Sequence, residues 1–147
     1  IVELLKFSNV RLVCTEASLH FLRCSKHYNV EKWETFIGLN GLSMVTIDAH
    51  EWSCWEKVKD MVLHIELQKW ADIILVLPAS ADCISKISLG ISDNLVLSIL
   101  RAWDHNKPCI IFPAMNTGMW EHPVTETRLD ILRRYLFALC YFYYSCC

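Results

Sequence analysis

Cys109-Ile110-Ile111-Phe112-Pro113-Ala114-Met115-Asn116-Thr117-Gly118-Met119-Trp120 begins as an unbroken apolar run and changes character at a proline. Four consecutive apolar residues are the pattern of a parallel strand buried on both faces, and Pro113, which has no N–H to donate, ends its ladder. In open α/β sheets ligands bind beyond the carboxyl ends of the strands. The stretch therefore predicts that Asn116 projects into such a crevice, with Met119 and Trp120 as apolar walls. Packing in the core accounts equally well for Met115, Met119 and Trp120. It accounts less well for Asn116, because a buried amide without partners costs about 1 to 3 kcal/mol.

Upstream, residues 73–77 form a second such run, which Pro78 should end. Residues 10–15 read as a strand, followed by a helix over 17–24 with Thr15 and Ser18 placed at its start. Residues 43–47 suit a further strand, while 26–42 carry no clean period. Apolar positions between 56 and 70 fit one helix and those between 84 and 103 another, and Lys107-Pro108 marks the turn into the last strand. Strands alternating with helices and no hairpin signals give an α/β chain, a parallel sheet with helices on both faces.

The 147 residues amount to one domain, and 54% apolar content is enough for a real core. A net charge of −2 and the absence of a basic, aromatic-interleaved face exclude nucleic acid as the expected partner. The eight cysteines are scattered except for Cys146-Cys147 and have no metal-ligand spacing, so reduced cytoplasmic thiols and no metal are expected. Cys14 and Cys109 read as small buried apolar residues.

The motif Pro113-x-Met115-Asn116-x-x-Met119-Trp120 resembles the signature of the flavin-containing cysteine decarboxylases. The resemblance continues, in order, through Val62-Leu63-His64-Ile65-Glu66-Leu67, Trp70-Ala71-Asp72, Pro78-Ala79-Ser80-Ala81, Asp93-Asn94-Leu95 and Arg101-Ala102-Trp103-Asp104. Glu51-Trp52-Ser53-Cys54-Trp55 is most similar to the plant, halotolerance-type members. The resemblance implies flavin mononucleotide (FMN) as cofactor and decarboxylation of 4′-phosphopantothenoylcysteine to 4′-phosphopantetheine, a step of coenzyme A biosynthesis. It also implies a doubly wound (Rossmann or flavodoxin-like) parallel sheet, and a homo-oligomer, a trimer, that acts on a small molecule without a membrane.

On that resemblance His64 takes or relays the substrate proton, Asn116 holds the substrate carboxylate through its amide donors, and Met119 lines the substrate site. Taken alone, a histidine between Leu63 and Ile65 is more often a satisfied structural residue, and it is the resemblance that reverses that reading. Thr15, Ser18, Ser80, Ala81 and Asp82 are implied flavin contacts, and Trp55 is an aromatic one that core packing would also explain. The family continues the Ser80-Ala81 loop with Asn-Thr, whereas this chain has Asp82-Cys83. Asp82 either brings negative charge toward the flavin or caps a helix starting near Ile84. Asp93-Asn94 is expected within a helix. Glu66, Lys69 and Asp72, like Glu56 with Lys57 and Lys59, read as solvated helix faces.

Both ends depart from the family pattern. Residues 1–6 read as the remainder of a first helix, so a central strand and the Gly-Ser-Val phosphate turn are expected to be missing, with weak flavin binding as the consequence. Residues 1–134 are assigned to an incomplete flavoprotein domain and 135–147 to an atypical apolar tail, too short to span a bilayer. A shifted reading frame or a membrane or partner anchor would each explain that tail. Two other functions stay open: a catalytically impaired regulatory or structural subunit of the phosphatase-inhibitor type, which Asp82-Cys83 would favour, and decarboxylation of a peptide cysteine.

Overall fold

The elements follow from local sequence in most places. In the computed structural model, which describes residues 1–135 and 138–140, the order is β1 (Leu12–Val13), α1 (Glu16–Cys24), α2 (Val30–Gly38), β2 (Val45–Thr46), α3 (Asp48–Ser53), α4 (Leu63–Trp70), β3 (Ile74–Ala79), α5 (Ala81–Leu89), α6 (Leu95–Arg101), β4 (Cys109–Pro113), α7 (Thr117–Trp120), α8 (Pro123–Tyr135) and β5 (Ala138–Leu139). Every strand pairing is parallel, as the alternation of strands with helices requires. The chain divides into two compact units, residues 1–63 with 94–96, and residues 64–93 with 97–147.

In the first unit β1 pairs with β2, Leu12 opposite Val45 and Val13 opposite Thr46, and the Cys14 amide extends the ladder to the Thr46 carbonyl at 2.9 Å. The expected strand over 10–15 shrinks to two residues. Residues 26–42 hold α2, opened by Asn29, whose Oδ1 accepts from the Lys32 amide at 3.1 Å. That cap was the available signal where periodicity gave none. Gly41 is obligatory: a Cβ there would lie 2.1 Å from a ring carbon of the buried Phe36. Asp48 Oδ1 accepts from the Leu95 amide at 2.7 Å, a helix cap supplied from 47 residues away.

Several expected boundaries fail for identifiable reasons. Residues 1–6 contain only a 3-10 turn over Leu4–Lys6. The helix expected from residue 56 begins at Leu63, because the Asp60 carboxylate takes the amides of Glu56 and Lys57 at 3.0 and 2.9 Å and Lys59 sits at φ 87°. The helix expected over 84–103 is two helices. Gly90 at φ 70° ends α5 and accepts no continuation, so Asp93-Asn94 lies between helices and not within one.

The second unit is built on the sheet β3-β4-β5. Ile74, Leu75 and Val76 stand opposite Cys109, Ile110 and Ile111, the register slips at the cis Leu77–Pro78 bond, and Ala79 then stands opposite Pro113. Pro113 ends β4 as expected, but Pro78 does not end its strand, since β3 runs through it to Ala79. Pro78 is tolerated where β3 forms the edge of this sheet and an N–H is not needed. Along β4, Cys109, Ile111 and Pro113 are buried and Ile110 and Phe112 half-buried, so one face is fully covered and the other partly. Ile84, Leu129 and Leu132 complete this core, with α8 packed along α5. The boundary expected at 134 falls inside α8, and Ala138–Leu139 adds a strand beside β4; the rest of the apolar tail lies outside the described residues.

Candidate functional site

The adjacent carboxyl ends of β3 and β4 place two of the predicted loops side by side. Ala79 and Pro113 are in register, and the Ala114 amide donates to the Ala79 carbonyl at 2.9 Å. Ser80-Ala81-Asp82 and Ala114-Met115-Asn116 leave the sheet from that point. Each loop turns at once into a helix through a polar N-cap. Ser80 Oγ accepts from the Cys83 amide at 3.2 Å, and Asn116 Oδ1 accepts from the Met119 amide at 2.9 Å. In the first unit Thr15 does the same after β1, accepting from the Ser18 amide at 3.2 Å, and the Thr15 hydroxyl donates to Ser18 Oγ at 3.1 Å. Ser, Thr and Asn are the residues that best satisfy the orphan amides of a first turn, so these ends are set by local chemistry.

The cap decides what Asn116 offers. Its oxygen is committed to the Met119 amide, so the Nδ2 group, with two donors, is the part left to meet a ligand. Asn116 is exposed and not a buried amide, and Met119 is 51% exposed, so packing in the core accounts for neither. The short α7 is braced by the buried Thr125, whose hydroxyl donates to the Met119 carbonyl at 2.6 Å.

Asp82 does not cap α5, since Ser80 does. It lies in the first turn, where negative charge suits the helix dipole, and its carboxylate sits 3.3 Å from Lys86 Nζ, which also holds Asp93 at 3.0 Å. Hydrogen bonds that the Lys86 ammonium donates to Asp93 and then to Asp82 push its amine up from its ordinary value. The negative charge that distinguishes this loop is thus matched by a cation one helical turn on. The spacing Asp82 to Lys86 was legible as an i,i+4 pair; the contact to Asp93 was not. Cys83, beside it, is pushed up to about 11, chiefly by burial and secondarily by Asp82, and stays a neutral thiol.

His64 is half-buried in the first turn of α4. Trp55, in the first unit, is 49% exposed, which removes core packing as its explanation. A cavity of about 260 Å³ in the first unit, lined by Leu22, Trp33 and Phe36 among others, includes none of the predicted site residues. Among the described residues no group of three His, Cys, Asp or Glu side chains could hold a metal ion, and no helix is long and apolar enough to cross a membrane.

The sequence profile of the Flavoprotein family matches residues 1–141. The chain belongs to that family. It is 44% identical over 128 residues to the phosphopantothenoylcysteine decarboxylase of Oryza sativa, covering 86% of this chain and 52% of that protein. It is 45% identical over 125 residues to phosphopantothenoylcysteine decarboxylase HAL3a of Glycine max, covering 84% and 53%. The chain thus spans about half the length of these relatives. Among solved structures it is similar to a PPC decarboxylase mutant complexed with pantothenoylaminoethenethiol, with a TM-score of 0.76 and 42% identity over 93% of this chain and 69% of that one. It is also similar to the FMN binding protein AtHal3, with a TM-score of 0.75 and 41% identity over 92% and 66%. The α/β, doubly wound flavodoxin-like class expected from the sequence is the fold of these structures.

Proposed function

We propose that this Flavoprotein-family chain is an FMN-dependent carboxy-lyase that converts 4′-phosphopantothenoylcysteine to 4′-phosphopantetheine. The observation that carries the reading is Asn116: within an intact P-x-M-N-x-x-M-W motif, it is exposed beside the β3–β4 strand ends with its oxygen used as a cap and its amide donors left over. A relative of the same fold, complexed with pantothenoylaminoethenethiol, supports the substrate class.

The loops after β3 and β4 fit a flavin. Ser80 and Asn116 are neutral polar groups, the backbone there runs directly into helix N-termini, and the charge of the one added carboxylate, Asp82, is partly offset by Lys86, which it shares with Asp93. That offset weakens the argument that Asp82 disables the site and makes the chain a regulatory subunit. Ser80, Ala81 and Asp82 would hold the cofactor in the second unit. The first unit's flavin-contact candidates, Thr15, Ser18 and Trp55, keep half-exposed hydroxyls and an exposed indole, as such contacts require. Bound FMN would supply a hydride acceptor for the substrate's carbon–sulfur unit, so that the negative charge left by loss of carbon dioxide is delocalised, and would return that hydride afterwards to leave the saturated thiol. Asn116 Nδ2 donates to the substrate carboxylate and fixes it for departure. His64 takes the proton released from the substrate. Met119 gives that carboxylate an apolar neighbour, which favours loss of its charge as carbon dioxide.

The direct test incubates the purified chain with FMN and 4′-phosphopantothenoylcysteine and follows carbon dioxide release. Turnover should occur, and His64→Asn and Asn116→Asp should each abolish it while flavin absorbance on the protein is retained. Normal turnover in either variant overturns the assigned role. We further propose a cytoplasmic homotrimer. Free thiols at Cys14, Cys24, Cys54, Cys83, Cys109 and Cys140 suit a reducing compartment, and exposed Trp52, Val58 and Met61 suit a subunit interface.

A further inference from the structure

Lys107 spends its whole donor capacity on one helix end. Its ammonium donates to the carbonyls of Gln68, Lys69 and Ala71 at 3.1, 3.1 and 2.7 Å, three acceptors for three N–H groups. These carbonyls close α4, so a positive charge also lies at the negative end of the helix dipole. The clamp itself is rigidly mounted. Asp104 Oδ1 accepts from the backbone and side-chain nitrogens of Asn106, both at 2.9 Å, which fixes the turn carrying Lys107. The indole of the buried Trp103 donates to the Lys107 carbonyl at 3.2 Å, and the ammonium sits 5.6 Å from the centre of the same ring.

The other end of α4 carries His64. The helix has eight residues, with Leu67 buried and Leu63, His64, Ile65 and Gln68 half-buried, so with so short an apolar face its tilt and rotation depend also on what holds its carboxyl end. His64 lies on the same face as Gln68, one turn before the clamp. At 1.5 Å per residue it is about 7.5 Å from Lys69 along the axis, so a tilt of about 8° moves it by about 1 Å. A displacement of that size is enough to cost about 100-fold in rate at a reacting centre.

We infer that Lys107 is a positioning residue for His64: by gathering the last carbonyls of α4 it fixes the tilt and rotation of the helix that presents the histidine. This rests on the proton-transfer role proposed above for His64. The test compares Lys107→Met, which keeps an apolar stem over Trp103 and removes all three donors, with Lys107→Arg, which restores charge and donors. In the full chain with FMN, Lys107→Met should lower kcat by about 10- to 100-fold with KM and FMN affinity within about twofold, and Lys107→Arg should recover most of the loss. In a His64→Asn background the Lys107→Met change should have no further effect on turnover. Independently of activity, the NMR signal of the His64 ring should shift in Lys107→Met and return in Lys107→Arg, while those of His20 and His27 stay in place. An unmoved His64 signal overturns the inference, as does a loss of FMN binding and melting temperature without a kcat-specific effect. Should His64→Asn itself turn over normally, the role of His64 fails instead, and the ring signal alone decides whether Lys107 positions the helix.

Discussion

Asn116 caps α7 with one end of its amide and, on the proposed function, binds the substrate carboxylate with the other, and substitutions separate the two roles. Asn116→Ala removes the cap and should cost about 1 kcal/mol, read from the urea midpoint. Asn116→Asp keeps a capping oxygen and should leave the midpoint unchanged while abolishing turnover, because the donors are gone and a charge opposes the substrate carboxylate. Buried thiols give a second prediction. Burial pushes Cys109, like Cys83, up to about 11. The unfolded chain therefore loses these protons near their ordinary value while the folded chain keeps them, so it binds fewer protons and stability falls as pH rises from about 9 through about 11. Urea midpoints at pH 8 and pH 10.5 check this, and an equal or higher midpoint at pH 10.5 contradicts it. The motif marked Asn116 as a candidate site residue. It did not show the exposure or the cap, which depend on how far the chain runs past β4 before turning.

At the scale of elements, glycines divide by backbone angle and not by proximity to the site. Gly90 ends α5 at φ 70°, where an L side chain is strained, so Gly90→Ala should destabilise by at least about 1 kcal/mol. Gly118 lies inside α7, and a Cβ there would meet nothing nearer than Asn116 Oδ1 at 3.7 Å, so Gly118→Ala should be neutral or stabilising by about 0.5 kcal/mol. Thermal melts of the two variants should move in opposite directions or only for Gly90→Ala; equal losses would contradict this account. The same glycine explains why one helix was read over 84–103. Apolar spacing carries across Gly90 into α6, and only the φ at that residue reveals the break. The end of β3 was misread for a related reason: Pro78 lacks an N–H donor, which matters only where a neighbouring strand asks for one.

The whole molecule adds the question of assembly. Trp52 and Val58 are 76% and 80% exposed, and with Met61 they concentrate large apolar groups in one short stretch of the first unit. If that stretch is the trimer contact, light scattering coupled to size exclusion should give three times the chain mass, and Trp52→Lys with Val58→Lys should yield a smaller species. A wild-type chain that elutes as a monomer contradicts the trimer.

The sequence by itself determined the alternation of strands and helices, Thr15 at the opening of the helix after β1, and the motif that marks the family. These depend on residues within a turn of one another, where capping and apolar spacing act directly. Tertiary structure alone decided that Ala79 meets Pro113, that Lys86 stands between Asp82 and Asp93, and that Lys107 closes a helix 36 to 39 residues earlier. Those partners are far apart in the chain, and no local period or propensity records which carbonyl or carboxylate a lysine will reach once the sheet has set the register.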